Sequence, residues 1–141
     1  MSPDLKPGIQ FELDYTVPDN KTVPHLYPEW AEFRQMPEVF ATGFLIGLME
    51  GVCQLSIMPF LDWPREQSVG THVEFSHLAA TPPGFTIRVR CEVIGVEGRN
   101  ITFRASAHDG HDLISEGTHR RTIIDAARFH QKLQAKRSAV L

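Results

Sequence analysis

Residues 39–61 read VFATGFLIGLMEGVCQLSIMPFL, and Glu50 is the one charged side chain among them. The stretch predicts a single long helix over 43–57, with Thr42 placed as its N-cap. An ionised carboxylate in apolar surroundings without a partner costs several kcal/mol or gives up its charge. Glu50 therefore has a dedicated partner or does chemistry. Gly43, Gly47 and Gly51 recur every four residues and fall on one helical face. Each costs roughly 1 kcal/mol relative to alanine, so the spacing predicts close approach of a sheet, a partner helix or a ligand to the helix backbone. With Glu50 inside it and Pro59 ending it, the run reads as too short and too polar to cross a bilayer.

On the N-terminal side, IQFELDYTV at 9–17 alternates apolar and polar residues and predicts a strand. Residues 18–37 follow with four prolines and little periodicity, yet they carry Leu26, Tyr27, Trp30 and Phe33. Such an aromatic loop is either a lid or a wrapping that covers a sheet edge. On the C-terminal side, residues 69–124 read as antiparallel strands. Val69, Thr71, Val73, Phe75 and His77 share one face of the first; Phe85, Ile87, Val89, Cys91 and Val93 share one face of the next. Ile101, Phe103, Ala105 and Ala107 then do the same. TPPG at 81–84, EGRN at 97–100 and HDGHD at 108–112 supply the turns. Residues 125–137 have helical composition. One long helix with an antiparallel meander around it predicts an α+β fold in a single domain over 1–141, with exposed edges of the kind that dimers pair.

The chain has 141 residues, 22% of them charged, and a formal net charge of -3, so no basic surface points to nucleic acid or anionic membrane as a partner. The N-terminus, MSPDLKPGIQF, contains no signal-type apolar region. Cys53 and Cys91 lie in apolar segments without metal-type spacing and read as reduced core thiols, which places the protein in the cytoplasm. No nucleophile elbow, phosphate-binding loop, dinucleotide fingerprint or Cys-x-x-Cys pair occurs, so no resident cofactor is expected.

Three polar residues lie close to the apolar segments around Glu50: Thr42, Gln54 and His77. Gln54 is one helical turn on. Strand alternation turns His77 inward with Val73 and Phe75, where it is either a satisfied core residue or a functional one. Thr42 and Glu50 stand about 12 Å apart along a helix and roughly 80° apart in direction. They can flank one substrate, or meet across a dimer interface. HDGHD contains four metal-capable side chains, but Asp-Gly at a hairpin tip reads as a solvated turn, and no metal site is expected.

HLYPE at 25–29, PEVFATGFLIGLMEG at 37–51, GTHVEFSHLAATPPG at 70–84, and SAHDG and EGTHRR within 106–121 together resemble the fluoroacetyl-CoA thioesterase family of small hot-dog-fold enzymes. The resemblance covers nearly the whole chain and implies a hot-dog fold and an acyl-CoA substrate. It implies a catalytic trio of Thr42, Glu50 and His77, the last on the strand after the helix. It further implies that the backbone of Gly70 lies beside the thioester carbonyl and that Arg121 lines the substrate site. The family's fluorinated-acyl selectivity goes with two phenylalanines in the lid. Phe33 matches the first, but Met36 stands at the second, and a flexible thioether offers no fixed ring face.

The expectation is hydrolysis of an acyl-CoA by a homodimer with its site near the interface. CoA enters only as part of the substrate, and fluoroacetyl preference does not follow. The alternatives are a hot-dog hydratase or dehydratase acting on acyl-CoA, and a noncatalytic acyl-CoA binding protein.

Overall fold

The structure is a computed structural model and describes residues 1–140. Its elements are β1 (Gln10–Thr16), a short helix α1 (Ala31–Arg34), the long helix α2 (Thr42–Ile57), β2 (Glu66–Phe75), β3 (Thr86–Glu97), β4 (Asn100–His108), β5 (Leu113–Asp125) and α3 (Ala126–Val140). The strands form one antiparallel sheet in the order β1-β3-β4-β5-β2. The chain therefore crosses from one side of the sheet to the other through α2, and β2 ends up at an edge.

α2 packs on the apolar face of this sheet because its own apolar residues repeat at helical spacing. Leu45, Met49, Val52, Cys53 and Ile57 are each at most 1% exposed. They meet Ile87, Val89, Cys91 and Val93 of β3 and Ile101, Phe103, Ala105 and Ala107 of β4 in one core. Burying a side chain of that size contributes about 1.5–3 kcal/mol, so this contact dominates the stability of the fold. Residues Thr42–Phe60 form 19 residues of helix with mean hydropathy 1.4. By length and composition the segment is thus adequate to cross a membrane, which corrects the expectation that it is too short and too polar. Here it is the helix the sheet packs on.

Three local features depart from expectation. Thr42 is the first helical residue and not the cap: Ala41, with extended backbone, holds the cap position and no side chain caps the helix. The Thr42 hydroxyl is engaged elsewhere, as described below. β2 starts at Glu66 and ends at Phe75, so His77 lies beyond the strand. A bulge between Gly70 and His72 changes which residues face inward, and it is Glu66 and Ser68, of the opposite parity to Val69, that are buried. At the HDGHD turn Asp109 is buried, where it was expected to be solvated. Its carboxylate accepts hydrogen bonds from the His111 and Asp112 amides and from the Thr81 hydroxyl at 2.7–2.9 Å.

Candidate functional site

The loop before α2 is clasped at its base. Thr22 bridges to Phe40, the Val23 amide donates to the Val39 carbonyl, and the Ala41 amide donates to the Lys21 carbonyl. What projects beyond the clasp is a small aromatic unit. Tyr27 stacks on Trp30 with centroids 4.7 Å apart, and Trp30 on Phe33 at 5.5 Å. Met36 stands just past α1 and is half exposed. The unit rests on the start of α2 through Leu26, which fills the place a Cβ on Gly43 would occupy, 2.9 Å from that position. Close approach to the glycine face is thus realised at Gly43; Gly47 and Gly51 face open space. A cavity of about 290 Å³ follows this face, lined by Gly43, Phe44, Gly47, Leu48, Tyr15 and Phe40, with Lys21 beside it.

Two polar groupings flank the helix. At its first turn, Thr42 Oγ1 lies 2.7 Å from His77 Nδ1. The hydroxyl donates to the ring when Nδ1 is unprotonated, which leaves the proton on Nε2. That Nε2 is buried and has no hydrogen-bond partner among the described residues. Burial lowers the His77 pKa below its ordinary value, favouring the neutral ring that Thr42 needs.

Two turns further along α2, Glu50 Oε1 accepts from Arg121 Nη1 at 3.0 Å. Arg121 on β5 is 3% exposed, and its Nε and Nη2 donate to Ser68 Oγ and the Ser68 carbonyl at 2.7 and 2.8 Å. Glu50 is therefore partnered, and it is less enclosed than the apolar run around it suggests: its side chain is 39% exposed while that of Arg121 is 4%. The guanidinium is held from inside and the carboxylate faces out. Gly70 makes this possible, because a Cβ there would sit 2.7 Å from Glu50 Oε1 and 3.2 Å from His119 Cε1.

The structure thus joins Thr42 to His77, and Glu50 to Arg121 and Gly70, while Phe33 and Met36 belong to the aromatic unit at the clasped loop. Sequence reasoning missed Ser68 and His119. The signal for His119 was present, since strand alternation on β5 turns it inward together with Arg121, an unusual place for two basic side chains.

The family model for fluoroacetyl-CoA-specific thioesterases matches residues 21–127. A fluoroacetyl-CoA thioesterase from Streptantibioticus cattleyicolor is 48% identical over 139 residues, 99% of each chain. A solved structure of a variant fluoroacetyl-CoA thioesterase in complex with fluoroacetate superposes with a TM-score of 0.90 at 48% identity, covering 94% of this chain and 98% of that one. A hot-dog-like protein from Thermanaerovibrio acidaminovorans, 18% identical, shares the fold with a TM-score of 0.77 over 96% of this chain and 93% of its own.

Proposed function

The chain belongs to the fluoroacetyl-CoA-specific thioesterase family, and we propose that it hydrolyses an acyl-CoA thioester using the Arg121-held carboxylate of Glu50 and the Thr42–His77 pair. The observation that carries this is the outward-facing carboxylate on a buried guanidinium. A carboxylate so held is fixed in direction and open to a water molecule.

In this reading Glu50 takes a proton from water, and the water oxygen adds to the thioester carbonyl. The tetrahedral intermediate collapses with cleavage of the carbon–sulfur bond, and the same proton passes from Glu50 to the leaving sulfur. The products are the free acid and CoA. The acceptor bond at Nδ1 to Thr42 keeps His77 in the Nε2–H tautomer, and that N–H, without a protein partner, is the donor assigned to the developing oxyanion once substrate is bound. Gly70, without a side chain, admits the carbonyl to the carboxylate.

A dimer completes the arrangement. Thr42 and Glu50 are eight residues apart on one helix, about 12 Å along its axis. A two-fold-related copy that pairs on the free edge of β2 sets the Thr42–His77 pair of one subunit toward Glu50 of the other. The open Gly47 and Gly51 face and the exposed Leu55, Val73 and Leu78 support such a contact. The two free, buried thiols support a reducing, cytoplasmic setting.

The test is thiol release from acetyl-, fluoroacetyl-, branched, longer and aryl-CoA. Glu50→Gln is expected to lower turnover by about 10²–10⁴. Full activity in that variant with folding unchanged overturns the proposal; binding without thiol release, or hydration of an enoyl-CoA in its place, supports the rival readings. With Met36 at the lid, turnover is expected to extend beyond the fluoroacetyl group, and strict fluoroacetyl preference would contradict that part.

A further inference from the structure

We propose that His119 is a positioning residue for this site: as a neutral ring protonated on Nδ1, it accepts a hydrogen bond from Arg121 and so aims the guanidinium at Glu50. The inference rests on reading Glu50 as the reacting carboxylate.

The ring's state follows from its partners. His119 is fully buried, and Nδ1 lies 2.7 Å from the His72 carbonyl oxygen, which can only accept; Nδ1 therefore carries the proton. Nε2 is left with a bare lone pair 3.1 Å from Arg121 Nη1, which donates to it. The same Nη1 donates to Glu50, so the ring and the carboxylate divide its two N–H groups between them. Ser68 takes Nε and Nη2. Ser68 thus holds two corners of the guanidinium, and its remaining freedom is rotation about them, which would swing Nη1 off the carboxylate. His119 opposes that rotation.

The surroundings hold the ring in turn. Phe75 of β2 and Phe103 of β4 flank it with centroids 6.1 and 6.2 Å away. The ionisable groups acting on it are Arg121 on its own strand, Glu50 from α2 and His72 from β2. Burial, with Arg121 beside it, lowers its pKa, so the neutral form persists on the acid side of the usual histidine range. A protonated Nε2 would face the Arg121 N–H donor to donor. Gly70 again provides the room, since a Cβ there would press on both His119 and Glu50.

The test compares His119→Leu, which removes the acceptor at similar volume, with His119→Gln, whose side-chain oxygen can reach the Nε2 position. With fluoroacetyl-CoA as the probe, His119→Leu is expected to lower kcat on the order of tenfold to a hundredfold, with KM changed less than about threefold. His119→Gln is expected to recover most of that loss. Ring nitrogen-15 spectra of the unaltered protein at pH 7 are expected to show the Nδ1–H tautomer. Unchanged kcat per folded molecule in His119→Leu overturns the proposal, as does equal impairment of the two variants, an Nε2–H ring or an imidazolium. If His119→Leu does not fold, His119→Gln against the unaltered enzyme and the ring spectra decide. A fully active Glu50→Gln sinks the underlying reading of Glu50; an impaired Glu50→Gln beside an unimpaired His119→Leu sinks the role of His119 alone.

Discussion

Glu50 shows how one residue can satisfy both explanations offered for an isolated charge. It has a dedicated partner in Arg121, and that partnership leaves its outer side open for chemistry. Removing one member of such a pair typically costs about 3–5 kcal/mol when both are buried; here the exposure of Glu50 reduces that figure. His77 is the second residue whose state matters. Its folded pKa lies below its ordinary value of 6.5, through burial, and so does that of His119. The unfolded chain therefore takes up protons just below pH 6.5 that the folded chain refuses. Stability should fall as pH drops through that value, and kcat/KM should hold from pH 8 to about 6.5 and decline only below it. Denaturant midpoints and a pH–rate profile check this, and an acid limb centred above 6.5 would contradict the assignment of a neutral, half-buried His77. Thr42 and Glu50 were legible from their places in the apolar run. The Thr42–His77 bond was not, because it joins residues 35 positions apart across an irregular segment.

Among the elements, β2 carries most of the positioning. It is held on one side by β5, and at its bulge the inward set of side chains changes, so that Ser68 reaches Arg121 while the His72 carbonyl reaches His119. Alternation read from residue 69 onward turned Val73 inward with Phe75 and His77, yet Val73 is 42% exposed, since a bulge leaves no mark in a period-two pattern. At the far end the pairing is tight around Gly117, where a Cβ would lie 1.8 Å from the Glu74 carbonyl oxygen, a backbone atom that cannot step aside. Gly117→Ala should therefore cost about 1–3 kcal/mol or more. It should also lower kcat by loosening the segment after β2 that carries His77, with urea midpoints and thiol release as the readouts. An unchanged midpoint would show that β2 and β5 can separate there at no cost. The base of β2 is secured differently. Glu66 is buried and paired with the Met1 ammonium, the Asp62 amide and Arg99, which together bring its pKa down to about 2.

At the scale of the whole molecule, the proposed two-fold pairing joins the two polar groupings on α2 into one site, whereas without it both act within one chain. Equal mixing of Thr42→Ala and Glu50→Gln chains separates the possibilities. With the site shared across a two-fold interface, half of the dimers are mixed and one of their two sites has both residues intact. About a quarter of full activity should then return from two inactive parents. No recovery on verified mixing would place Thr42 and Glu50 of one chain at one substrate instead. The aromatic unit of Tyr27, Trp30 and Phe33 sits at the start of the same helix, so the lid-like loop, the hydroxyl–imidazole pair and the helix N-terminus lie at one end of α2.

The sequence by itself determined the helix, the strand order along the chain, the apolar stripe that joins them and the isolation of Glu50. Those are consequences of periodicity and composition, which act within a few residues. Tertiary structure alone decided which residues meet: Arg121 with Glu50 across 71 positions, His77 with Thr42 across 35, and His119 between a strand carbonyl and a guanidinium. Pairing of that kind depends on strand register, on one bulge and on two glycines that let backbone and side chains close to contact, and none of these has a local periodic signature.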